Sequence, residues 1–112
     1  MDFLKYFTYK YKENTNNCWE FVCYIYKNEH NYELPKLPIA DSNSKECTSY
    51  LKSNINLKLK ETAKIGDLIH SMRDNFEHIG YAINNKKYIH LSTIGVKVTN
   101  IPSSALIYEV IR

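Results

Sequence analysis

Residues 18–27, CWEFVCYIYK, decide how this chain is read. Apolar side chains fill almost every position, and Glu20 is the only charge before Lys27. An element that is apolar nearly all round is expected to be a helix buried in the middle of a domain. Upstream, Tyr11–Asn17 (YKENTNN) is polar and rich in asparagine, which reads as a loop ending in a helix N-cap. Downstream, EHNYELPKLP carries Pro35 and Pro38, which end the helix and force an extended connection.

Further out, Phe3, Leu4, Tyr6 and Phe7 recur at helical spacing behind Asp2, so a short first helix is expected there. Asn43 and Glu46 have capping-box spacing ahead of Cys47, Tyr50 and Leu51, an apolar stripe that predicts a packing helix. After about Leu57 the pattern changes to short β-rich runs: DLIHSM, HIGYAI, YIHLS, VKVTNI and ALIYEVI, separated by turn residues such as NNKK. This predicts an antiparallel meander of about four or five strands. Helices first and a sheet afterwards is the order of an α+β domain, with the helices packed on one face of the sheet. A chain of 112 residues without internal repeats or low-complexity tracts is expected to form a single domain over 1–112.

Composition narrows the function. A hydrophobic content of 44% with 24% charged residues is that of a globular chain, and ten tyrosines can complete a small core. The net charge of +3 is scattered, with no basic run long enough to track a phosphate backbone, so nucleic acid is not expected as a partner. Three cysteines without a CxxC pair cannot form a complete disulfide framework, which favours a reducing compartment. The N-terminal MDFLKYFTYKYK has no apolar signal core, and no apolar run is long enough to span a bilayer. Synthesis in the cytoplasm is therefore expected, with delivery by another component if the substrate lies outside.

Three residues stand out chemically. Cys18 falls in the first turn of the buried helix, where unpaired N–H groups and the helix dipole favour a thiolate. Taken alone, a cysteine in an apolar helix is usually packing, and Cys23 and Cys47 are assigned to packing. His78 opens HIGYAI and His90 lies in YIHLS across the NNKK turn, so a hairpin brings the two imidazoles side by side on one sheet face. A helix starting with Cys18 on that face would complete a nucleophile, a base and an orienting group. His30, in the polar segment after the helix, and His70 are read as structural. No HxH or HExxH spacing occurs, so neither a metal nor another cofactor is expected.

In order and wording these motifs resemble the NlpC-like peptidases, a bacterial and phage family of papain-like fold. NCWEFVCYIYKNEHNYELP resembles the family's helix that opens with Asp-Cys-Trp-Gly or Asp-Cys-Ser-Gly. KIGDLIHSM resembles its Pro-Gly-Asp strand, EHIGYAINNKKYIHLS its His-Val-Gly-Ile-Tyr hairpin, and IYEVIR its closing strand. The Trp after the cysteine and the Glu-Leu-Pro stretch are nearest to the phage-tail branch. The resemblance implies a cysteine peptidase or amidase cutting peptidoglycan stem peptides at a D-glutamyl–diamino acid bond. Cys18 would be its nucleophile, His78 its general base and His90 the group that fixes the imidazole tautomer. It further implies an upstream tyrosine in the oxyanion hole, Tyr9 or next Tyr11, and Gly80 as the hairpin glycine giving room beside His78. A phage tail or other delivery system would be the partner. An effector-type amidase on another acyl substrate and a non-catalytic wall-binding module are the alternatives on the same fold. Asn17 stands where the family has Asp, Glu20 where it has Gly, and the Gly-Gly turn before the cysteine is missing.

Overall fold

The computed structural model of the chain describes residues 3–12, 17–36, 52–73 and 76–112. Helix α1 spans Cys18–His30, three residues past the expected end at Lys27. Asn17 starts it: the backbone there is extended, and the side-chain oxygen accepts the Glu20 N–H at 3.0 Å. Asn31 ends it in the left-handed conformation, φ 51°. Asparagine is one of the few residues other than glycine that visits this region readily, so the helix stops before Pro35 rather than because of it. The indole N–H of Trp19 then donates to the Pro35 carbonyl at 3.0 Å, holding the extended segment against the helix.

The expected first helix is only a 3-10 turn, Leu4–Tyr6, preceded by Phe3 rather than Asp2 and lacking a side-chain cap. Tyr6 is buried while Leu4 and Phe7 stay exposed, and one anchoring side chain does not sustain a longer helix. The helix expected from Asn43, with Cys47, lies outside the described residues, as does most of the loop before Asn17.

Among the described residues the sheet has six antiparallel strands rather than four or five: β1 Leu57–Lys60, β2 Leu68–Arg73, β3 Phe76–Ala82, β4 Lys87–Ser92, β5 Gly95–Asn100 and β6 Leu106–Val110. β2 to β5 form the expected meander. β6 leaves it and crosses back to lie between β1 and β2, giving the order β1-β6-β2-β3-β4-β5. The unforeseen strand, β1, is the four residues LKLK, paired with the far end of the chain as Leu57↔Val110 and Lys58↔Glu109. A pairing at such separation leaves no turn signal between the partners, and lysines suit an edge strand.

Helix α1 packs against β3 and β4. Strand alternation divides the sheet into two sides. Ile79, Tyr81, Ile89 and Leu91 join Phe21, Val22 and Ile25 of the helix in the main core. The alternate positions Ala82 and Tyr88 join Ala63 and Ile69 in a smaller cluster on the opposite side. His30 is the last residue of α1 rather than part of a loop, with its ring 4.5 Å from that of Tyr26 and its Nε2 2.8 Å from the Tyr81 hydroxyl. No helix among the described residues is long and apolar enough to cross a membrane.

Candidate active site

The β3–β4 hairpin positions the two strand histidines. Its turn is organised by Asn84, whose side-chain oxygen accepts the N–H groups of Lys86 and Lys87, both at 2.8 Å. The register that follows pairs Ala82 with Tyr88 and Tyr81 with Ile89. Continued along both strands, it sets Gly80 opposite His90 and places His78 diagonally beyond, on the same face. His78 Nε2 lies 2.7 Å from His90 Nδ1, with the rings nearly perpendicular at 84°. Both imidazoles are buried, His90 completely.

Three neighbours of this pair escaped the sequence reading. Thr99 Oγ1 lies 2.9 Å from His90 Nε2, so both nitrogens of His90 are engaged. The Tyr88 ring stacks on His90 at 4.4 Å and 12°. Gly80 makes that stack possible, because a Cβ there would stand 2.3 and 2.7 Å from Tyr88 ring carbons and 3.0 Å from the His90 Cβ. The glycine therefore makes room for Tyr88 and His90 rather than beside His78, where the sequence reading set it. Ser71, directly opposite His78 on β2, is buried, and its hydroxyl has no hydrogen-bond partner among the described residues. A buried hydroxyl left unpaired costs desolvation energy, and such costs gather at functional sites. The signal for Thr99 lay in the β4–β5 hairpin, where it pairs across from Tyr88.

Cys18 occupies the first turn of α1 and is 3% exposed. Unpaired N–H groups and the positive end of the helix dipole favour negative charge at that position. Asn17 does the capping, its side-chain oxygen accepting the backbone N–H of Glu20. Cys23 differs. Burial first, and then the Glu20 carboxylate, push its thiol far above the usual range, which leaves it protonated and unreactive at neutral pH.

Tyr9 packs its ring 5.0 Å from Phe21 and 5.1 Å from Tyr24, and burial followed by the Glu20 charge pushes its hydroxyl up to about 12. It lines a groove of about 640 Å³ with Glu20, Cys23, Tyr24 and Lys27. Those four helix positions share one face, and Cys18 lies about half a turn round from it. Tyr11 is half-buried against the main core.

The body of α1 does not lie over the imidazoles, as the sequence reading expected. It covers the side of Ile79, Tyr81, Ile89 and Leu91, whereas His78 and His90 share the phase of Ala82 and Tyr88. His70 is opposite Ile79, one residue out of phase with Ser71 and His78, and belongs to the other face. Among the described residues no group of three or more His, Cys, Asp or Glu side chains could hold a metal ion.

The sequence profile of the NlpC/P60 family matches residues 5–111, almost the whole chain. Comparison with curated proteins gives no match.

Proposed function

The chain belongs to the NlpC/P60 family, and on that premise we propose that it hydrolyses an amide of peptidoglycan stem peptides through Cys18, His78 and His90. The family is generally one of cysteine peptidases and amidases of the cell wall. The observation that carries the reading is the buried contact of 2.7 Å between His78 Nε2 and His90 Nδ1. In this reading His78 meets His90 through Nε2 and exchanges a proton with the nucleophile through Nδ1.

In this reading the Cys18 proton passes to His78 Nδ1 while Sγ attacks the amide carbonyl carbon. The C–N bond breaks as His78 returns the proton to the leaving amine. Water, deprotonated by His78, then splits the thioester and regenerates the thiol. A backbone N–H at the start of α1 and the hydroxyl of Tyr11 or Tyr9 would receive the developing oxyanion. Because Tyr9 is committed to the groove wall, Tyr11 is preferred. The bond assigned is that between D-glutamate and the diamino acid. The Cys18-Trp19 pair and Glu33-Leu34-Pro35 support a place near phage-tail members, with a tail or other delivery system carrying the protein to the wall.

Purified cell wall treated with the protein should release new amino groups, and the Cys18→Ala variant should release none. Equal release by both would overturn the reading. Selective alkylation of Cys18 without wall cleavage would move the substrate to another acyl group while keeping the machinery. An inert Cys18 with intact wall binding would make the fold a binding module.

A further inference from the structure

We propose that Thr99 is a positioning residue for the imidazole pair: its hydroxyl decides which nitrogen of neutral His78 carries the proton. The inference rests on the reading above that His78 is the base.

His90 is completely buried and held between two polar contacts, His78 Nε2 at 2.7 Å from its Nδ1 and Thr99 Oγ1 at 2.9 Å from its Nε2. The stacked Tyr88 ring fixes the plane of the imidazole, so its nitrogens are aimed at these two partners. A neutral imidazole has one N–H and one bare nitrogen, so the row has two proton arrangements. In the first, His90 Nε2–H donates to Thr99, His90 Nδ1 accepts from His78 Nε2–H, and His78 Nδ1 is bare. That arrangement makes a base. In the second, the Thr99 hydroxyl donates, His90 Nδ1–H donates to His78, and the remaining proton of His78 sits on Nδ1. That arrangement makes none.

Once His78 is charged both its nitrogens carry protons, and only the first arrangement is compatible. Thr99 must then accept. A hydroxyl has lone pairs for this and can turn to present them, whereas a methyl group leaves a buried N–H unpaired. Thr99 stands opposite Tyr88 on β5 and therefore diagonal to His90, a position reached from the neighbouring strand and not through the substrate.

Two measurements on Thr99→Val and Thr99→Ser test this. The first reads the imidazole tautomers from nitrogen-15 chemical shifts. The wild type and the serine variant should show His90 protonated on Nε2 and His78 bare at Nδ1, and valine should lose that preference. The second reads the pH profile of Cys18 alkylation and of wall cleavage. Valine should slow both by about ten- to a hundredfold and shift the profile, with serine restoring it. A His90 proton on Nδ1 in the wild type, or a valine variant with unchanged tautomers and profile, would overturn the proposal. If valine prevents folding, Thr99→Ala against Thr99→Ser makes the same comparison. A wild type with no reactive Cys18 would instead defeat the hydrolase reading, while the tautomers still decide the role of Thr99.

Discussion

Glycine 80 is where a single atom decides the geometry around the imidazoles. The Tyr88 ring occupies the space that a side chain at this position would fill, and the nearest contacts of an added Cβ, 2.3 and 2.7 Å, are too short to be absorbed without movement. Gly80→Ala should therefore push Tyr88 off His90 and lower stability by about 1–3 kcal/mol, as overpacking does. Urea denaturation would measure the loss, and nitrogen-15 shifts of His90 would report the displaced stack. An unchanged midpoint with unchanged shifts would mean that the ring moves aside at no cost. Ser71 sits beside the same pair with a different liability, a buried hydroxyl without a hydrogen-bond partner among the described residues.

At the scale of the element, the start of α1 is stabilised by one asparagine. Asn17→Ala removes the acceptor for the Glu20 N–H and should cost about 1 kcal/mol of stability. In the same variant the first turn should fray, so a thiolate formed at Cys18 would lose the N–H groups and dipole that favour it. Iodoacetamide near neutral pH should alkylate Cys18 in the wild type, spare Cys23, whose thiol is held protonated by burial and Glu20, and react more slowly with Cys18 in Asn17→Ala. Peptide mapping of the label checks both parts. Faster labelling of Cys23 than of Cys18 would be the contrary result.

Over the whole molecule, acid should loosen the contact between the end of α1 and the sheet. Burial first, and then the Arg112 charge, hold the His30 pKa below its ordinary value of 6.5. The unfolded chain then binds more protons than the folded one, so stability is full above about pH 6.5 and is lost as pH falls through the folded value. Glu29 adds a second loss further down. Its carboxyl is held below 4.5, chiefly by the Tyr6 hydroxyl and also by Lys5, so its contribution fades as pH falls from there. Melting temperatures of the wild type and His30→Leu across pH 7 to 4 should converge in slope only below the histidine range. Parallel curves throughout would show that His30 does not contribute.

The periodicity of CWEFVCYIYK and of the strands from Leu68 onward was enough to predict the helix, the meander and the meeting of His78 with His90, because each depends on neighbours along the chain or across one short turn. β1, the return of β6 to β2, the Asn31 stop and the short first turn were not legible, since they are set by partners distant in sequence or by one residue's backbone. The site divides in the same way. Cys18 at a helix start and the two histidines are local features, and the sequence by itself determined them. Which face α1 covers, the stacking of Tyr88 on His90 and the hydrogen bond between His90 and Thr99 were decided only by tertiary structure. The physical reason is that side-chain alternation assigns a residue to a face, whereas only packing selects what lies on that face.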